Sequence, residues 1–425
     1  MQEDFLHYIW KLKKFDTTDL KTTDNDSVDI VSVGKHNLNS GPDFFNAQLK
    51  IADQLWAGNV EIHVKSGDWF IHNHEVDSAY DNVILHVVWE HDTEVFRKDN
   101  TEIPTIELKN YISKSSLENY QKLFSKSSKW INCEGDFNSV DEFTITNWLE
   151  RLYFERLERK SHDIEKLLKS SSNNWEAVLF KMLAKNFGLK VNGESFLSLA
   201  NSIDFSIVRK QQSNLTSLEA LLFGQSGLLE DSVEEPYFIK LVKEYNLLTQ
   251  KFNLSNTNVT PLQFFRLRPP NFPTIRLSQL ANLYHQHQNL FSKLVEIDSV
   301  DEFYNLFKMS TSKFWESHYT FGKSSKLSKK FITKSFIDLL LINTIIPIKF
   351  SYARHQGKDV EEVVLNLAQE IASEKNSIVD KFNALKQMPK SAMQSQAIIQ
   401  LKNEFCDKNK CLQCAIGSSV LTRND

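Results

Sequence analysis

Glycine and proline are scarce here, at 12 and 9 of 425 residues. That scarcity tells against a loop-rich architecture and favours long helices. No uninterrupted apolar run reaches membrane-spanning length. The best candidate, Phe336 to Phe350, is short and carries Asp338, Asn343 and Pro347. The N-terminus, MQEDFLHYIW, is acidic and lacks the basic-then-apolar layout of a secretion signal. The reading is a cytoplasmic protein without a membrane partner, whose four cysteines are not structural disulfides. A net charge of -4 gives no global attraction to nucleic acid, so any such binding needs a local basic patch. The glycine-punctuated break at Phe223 to Gly227 lacks the Lys-Ser/Thr of a phosphate-binding loop, and no repeat of fixed period is present.

What the chain does have is phenylalanine, 30 copies, and hydrophobic residues at 41%, enough for a large aromatic core in two or three domains. Its chemistry concentrates between Gly41 and Asp92, where Asp43, Glu61, His63, Lys65, His72, His74, Asp77 and His86 all fall. In Val60-Glu61-Ile62-His63-Val64-Lys65, apolar and polar residues alternate as on a strand. Glu61, His63 and Lys65 then share one face, a row suited to metal binding and proton transfer. Phe44–Ala52 and Leu55–Lys65 read as a hairpin. Val28–Val33, Asn82–Glu90 and Ile103–Leu108 read as further strands, and Ser66 as the cap of a short helix containing Trp69. Ser66 to Asp81 is long enough to cross over to a parallel strand. His86, inside the apolar run Val83 to Val88, reads as a buried histidine with a satisfied hydrogen bond; His72, His74 and Asp77 read either as site residues or as a loop that orders itself. Glu3 opens a helix over Glu3 to Lys14, with Phe5, Ile9 and Leu12 as its apolar stripe; it either points into the site to support the acids there or, the plainer reading, is a solvated first-turn acid.

From about Val140 onward the periodicity is helical. The expected architecture is α+β: a small mixed β-sheet domain over 1–112, a linker over 113–139 carrying Cys133, an all-α domain over 140–405, and a cysteine-containing tail over 406–425 that packs back. Within the helical part, FRLRPPNFPTIR displays Arg266, Arg268 and Arg276 on a stiff turn before a helix near Leu277. Lys323, Lys326, Lys329, Lys330 and Lys334 form a basic run read as a solvated helix face. Both segments suit phosphate contact, with Arg266, Arg268, Arg276, Lys326 and Lys330 as the candidates for DNA or RNA, and both also suit internal pairing. Cys406, Cys411 and Cys414 follow a C-x4-C-x2-C spacing. With Cys133 they supply four thiolates, acceptable to zinc or to a 4Fe–4S cluster.

Pro42-Asp43 at the start of one strand, followed by Glu61-Ile62-His63 on the next, resembles the PD-(D/E)XK nuclease superfamily. The resemblance implies a restriction-endonuclease-like sheet, with Asp43 and Glu61 as ligands of Mg or Mn. His63 stands where that motif has lysine, and Lys65, on the same face, is the nearest amine. Other segments, LHYIW, GPDF, VEIHVKSGDW, NVILHVVW, RLRPPNFPTIR and CLQCAIG, resemble a bacterial family known only as a domain of unknown function, and this resemblance covers the whole chain. Three functions stay open: a metal-dependent nuclease or related phosphodiesterase using Asp43, Glu61, His63 and Lys65; a non-catalytic nucleic-acid or protein-binding module on the same core; and a histidine-based metal hydrolase using His63, His72, His74 and His86.

Overall fold

The computed structural model describes residues 2–125 and 129–423. Residues 1, 126–128 and 424–425, within the expected sheet domain, linker and tail, lie outside the described residues. The fold is α+β, a mixed sheet in the N-terminal region followed by many helices. The chain forms two compact units. One comprises Met1–Trp148, Ala384–Lys386 and Leu401–Asp425; the other comprises Leu149–Asn383 and Gln387–Gln400. The second unit is thus an insertion in the sequence of the first.

The first unit opens with α1 (Glu3–Lys11), which buries Phe5, Leu6, Tyr8, Ile9 and Trp10. Leu12 follows the helix end and is largely exposed, so the apolar stripe is carried by Leu6 and Trp10 instead. The strands are β1 (Val28–Ser32), β2 (Lys35–His36), β3 (Phe44–Ile51), β4 (Gln54–Lys65), β5 (Val83–Glu90) and β6 (Thr105–Glu107). Their order is β1-β3-β4-β5-β6, with β2 beside β3. β1, β3 and β4 run antiparallel; β4–β5 and β5–β6 are parallel. The crossover from β4 to β5 contains α2 (Asp68–Ile71). Ser66 does not cap α2 with its hydroxyl, which instead accepts from the amides of Asp92 and Thr93 and donates to the Asp92 carboxylate.

Two local features aim the strands. Asn46 has φ +57 and sits where the β3–β4 register slips between Phe44 and Ala47, a bulge that bends the strand just after Asp43. At Gly58 a Cβ would meet the Asn82 carbonyl at 2.6 Å, so glycine lets β4 lie against the residues leading into β5. β5 is buried along Val83 to Val88, as expected of a strand with parallel neighbours on both sides.

The first unit ends with α3 (Lys114–Leu123) and the start of α4 (Glu142–Ser170), and closes with the chain's last elements. The second unit holds the remainder of α4, α5 (Trp175–Phe187), α6 (Leu189–Asn201), α7 (Phe205–Gln211), α8 (Leu215–Gln225), α9 (Pro236–Phe252), α10 (Pro273–Gln286), α11 (Leu290–Glu296) and α12 (Val300–Leu306). After a short hairpin of β7 (His318–Thr320) and β8 (Lys323–Ser324) come α13 (Lys334–Leu340), α14 (Ile346–His355), α15 (Glu361–Glu370), α16 (Ser377–Leu385) and α17 (Ala392–Gln400). α18 (Ala415–Leu421) belongs to the first unit. α8 is buried on every side from Ser217 to Gln225, which makes it the axis of the helical core.

The second unit departs from the sequence reading in three places. It is not all helical, because Gly322 at φ +72 turns the chain into the β7–β8 hairpin. The lysine run therefore starts on a strand and continues as irregular chain to α13, not as a helix face. Pro347 does not end the apolar helix: a π-turn over Leu341–Ile345 carries it past Asn343, and Pro347 falls in the first turn of α14, where no amide donor is needed. The resulting run, Lys334–His355, has 22 residues and is long and apolar enough to cross a membrane, but 78% of its most apolar window is buried inside the protein.

Candidate functional site

β4 carries the centre of the site. Glu61 and His63 share one face of the strand, and both are buried although polar. The bulge at Asn46 brings Asp43 alongside. The Asp43 amide donates to Glu61 Oε2 at 3.1 Å, and the Ile62 amide donates to Asp43 Oδ2 at 2.9 Å. The two carboxyl groups are thus tied to each other's backbone across the strands.

Two groups of donor atoms form around this pair, each with all members within 4.8 Å of one another. They are Glu3, His7 and Asp43, and His63, His72 and His74. The first comes from α1, whose i,i+4 spacing stacks Glu3 and His7 on one helix face. His7 Nε2 lies 3.1 Å from Asp43 Oδ2. Glu3 is therefore part of the site and not a solvated first-turn acid. His7 went unnoticed in the sequence, and its only signal was that spacing on the face opposite the buried one.

The second group is built at the end of α2. His72 closes that helix, Asn73 turns through φ +59, and His74 folds back over the sheet. Buried Trp69 sits edge-on to His74, and Tyr80 stacks on it at 3.7 Å between ring centroids. His63 Nε2 is 3.1 Å from His72 Nδ1, and His63 Nδ1 is 2.8 Å from His86 Nε2. Glu61 sits with the second group, its Oε1 3.6 Å from His63 Nε2 and 3.3 Å from His74 Nε2, and meets the first only through the Asp43 amide on its Oε2.

The electrostatics follow from this crowding. Burial, then the Asp43 charge, pushes the Glu61 carboxyl up to about 9. Burial, then His74 and His72, pulls His63 down to about 3. His86 is held well below the ordinary range, first by burial and then by His63. For His7, burial favours the neutral ring, but Asp43 and Glu3 outweigh it and raise its pKa. Glu3 is raised by burial and by Asp43. His63 and His86 are thus held neutral, the form in which an imidazole binds a metal.

The donor set fits a metal ion on a second count. His7 Nε2, His74 Nε2 and His86 Nδ1 are buried and make no hydrogen bond. Two of these nitrogens face carboxylate oxygens at close range. Carboxylates mixed with neutral imidazoles suit Mn²⁺, Fe²⁺ or Zn²⁺ better than Mg²⁺, which prefers oxygen alone.

Other expected site residues lie elsewhere. The Lys65 ammonium is half exposed and 3.9 Å from Asp92 Oδ2, at the end of β4. Asp77 is exposed and caps the turn at Ser78–Tyr80 through the Ala79 amide. Arg266, Arg268 and Lys326 are exposed. Arg276 and Lys330 differ from the expectation of surface display, for both are buried. α10 begins at Pro273, earlier than expected, so Arg276 is inside its first turn; its guanidinium contacts Gln279 and Asn271 and lies 3.7 Å over the Phe336 ring. Lys330 gives its protons to the carbonyls of Trp315, Glu316 and Ser328.

The four cysteines meet in the first unit. Cys133, Cys406, Cys411 and Cys414 line one small cavity of about 20 Å³, with Ile131, Phe137 and Leu401 among its apolar walls. None is in a disulfide.

Residues 3–377 match the family described as "Protein of unknown function (DUF2851)". No curated protein and no solved structure matches the chain.

Proposed function

We propose, for a chain that belongs to the DUF2851 family and takes no activity from that family's description, that the acid–histidine cluster is a divalent-metal centre for hydrolysis of phosphodiester bonds in nucleic acid. One observation carries this reading: Asp43 and Glu61 are locked together between two trios of metal donors, Glu3–His7–Asp43 and His63–His72–His74. Glu61 Oε1 would add a carboxylate oxygen to the histidine trio, and Asp43 would supply one to the other trio. Ions held this way polarise a phosphate and lower the pKa of a bound water. The order of elements supports the reaction class. A helix, three antiparallel strands, a crossover with a short helix, and a parallel strand is the layout that Pro42-Asp43 and Glu61-Ile62-His63 bring to mind in the PD-(D/E)XK nucleases.

The chain's own residues supply orientation and proton handling. For His63 to present Nε2 as a bare acceptor, its proton must sit on Nδ1, and His86 Nε2 is placed to receive that hydrogen bond. The Trp69–Tyr80 floor fixes the ring of His74. Arg266, Arg268 and Lys326, exposed in the second unit, are available for phosphate contacts.

The test is metal analysis of the purified protein, followed by incubation with Mn²⁺, Mg²⁺ or Zn²⁺ and linear duplex DNA, single-stranded DNA or RNA. Cleavage with Mn²⁺ that is lost with chelator and in Asp43→Asn and Glu61→Gln is the expected result. Equal products from wild type and both variants would overturn it. A second reading, binding without cleavage, draws on the position of Lys65: its ammonium pairs with Asp92 instead of approaching the acids. Salt-dependent binding with no cutting under any metal would select that reading.

A further inference from the structure

Cys133 lies far in sequence from Cys406, Cys411 and Cys414, yet all four reach one cavity. Cys133 lies in the turn after α3, and its carbonyl accepts from the amides of Asp136 and Phe137. Cys406 ends the π-helical turn Leu401–Cys406 that follows α17. Cys411 and Cys414 bracket a single 3-10 turn. Three of the four are buried and the fourth is half-buried.

The pocket treats these sulfurs as future anions. Cys414 Sγ is met by the backbone amides of Gly417 and Ile416, and Cys411 Sγ by the Asn132 side-chain amide at 3.4 Å. Such N–H donors stabilise a thiolate and add little for a thiol. Gly417 has a role of its own. A Cβ there would meet the Cys411 carbonyl at 2.2 Å, so only glycine lets the start of α18 close over the Cys411–Cys414 turn.

The spacing of the sulfurs separates one ion from a cluster. Among the described residues, no three of these four sulfurs lie mutually within 4.8 Å. Around a single zinc ion, with bonds near 2.3 Å, tetrahedral thiolates stand roughly 3.8 Å apart. A cubane binds its thiolates on four separate iron corners, which sets the sulfurs farther apart than around one ion.

We propose that Cys133, Cys406, Cys411 and Cys414 hold a [4Fe–4S] cluster, a second metal centre independent of the acid–histidine site. Each thiol releases its proton to solvent as its sulfur binds one iron; two ferrous and two ferric ions with four sulfides give the [4Fe–4S]2+ core without a further oxidant, and four protons leave the four cysteines. The cluster fastens the segment after α3 to the chain's last helix within one unit.

The experiment is anaerobic purification of the full chain with iron, zinc and acid-labile sulfide assays and optical and electron paramagnetic resonance spectra. About four iron and four sulfide per chain are expected, with loss of both in Cys133→Ser and Cys414→Ser. Asp43→Asn should leave the cluster untouched, which separates this centre from the proposed hydrolytic one. Gly417→Ala should lower cluster occupancy while all four ligands remain. One zinc per chain with no sulfide would overturn the proposal. So would wild-type protein that binds no iron even after anaerobic incubation with ferrous and ferric iron and sulfide, a result that needs no variant to fold.

Discussion

His86 and Glu219 show what burial does to a titrating group that has one good partner. His86 has no exposed surface, and its Nε2 meets His63 Nδ1 at 2.8 Å. If its task is to fix the tautomer and tilt of a metal-binding ring, His86→Phe should keep the fold and weaken Mn²⁺ binding by about 10–100-fold. Calorimetric titration of the two proteins measures this; unchanged affinity would reduce His86 to packing. Glu219, in the helical unit, accepts from Tyr237 and from Ser278 Oγ at 2.6 Å, yet burial dominates and raises its pKa. The folded chain then keeps a proton that the unfolded chain has released. Its contribution to stability is full below the ordinary glutamate value and declines as pH rises toward the folded value. Melting temperatures of Glu219→Gln should therefore fall less than wild type between mildly acidic and neutral pH. Parallel curves would show that Glu219 does not titrate in this way.

Among the elements, the β3–β4 hairpin was the most legible from sequence. Alternation from Val60 to Lys65 placed Glu61 and His63 on one face, and Pro42-Asp43 marked the neighbouring strand's start. What alternation does not show is a bulge. Asn46 adopts a left-handed conformation that shifts the register beside Asp43. Asn46→Gly should be nearly neutral, while Asn46→Val should cost about 1–2 kcal/mol and impair metal binding through Asp43. Denaturant midpoints for the two variants check this, and equal midpoints would remove the role of the bulge. α1 was legible as a helix, but the use of its polar face was not, because Glu3 and His7 gain meaning only when Asp43 arrives from a distant turn. Arg276 and Lys330 failed for the same reason. Their partners, a Phe336 ring and the carbonyls of Trp315, Glu316 and Ser328, are brought by tertiary folding, and a local charge pattern cannot distinguish them from surface cations. The π-turn at Leu341–Ile345 has no sequence period to announce it.

For the whole molecule, the helical unit is inserted between two parts of the sheet unit. The two parts meet closely. Trp148 and Phe405 lie 5.4 Å apart between ring centroids, and Tyr8 of α1 shares a hydrogen bond of 2.9 Å with Ser418 of α18. α1 also packs against the Cys411–Gln413 turn, so the helix that brings Glu3 and His7 to the acids rests on the cysteine-bearing tail. Replacing residues 149–400 with a short Gly/Ser linker from Trp148 to Leu401 should give a cooperatively folding sheet unit that keeps four bound irons. A molten or colourless product would show that the inserted helices are needed for that fold.

The same interruption sets a clock on synthesis. Cys133 leaves the ribosome early, and Cys406, Cys411 and Cys414 follow only after the whole insertion has been translated, on the order of tens of seconds later at usual elongation rates. Throughout that interval the first part of the sheet unit lacks Ser418 beneath Tyr8 and three of its four thiols. A chain broken off by a stalled ribosome or a premature stop would carry the acids and histidines without the tail that steadies α1. Maturation of the sheet unit is in this way made to wait until translation has passed Ser418.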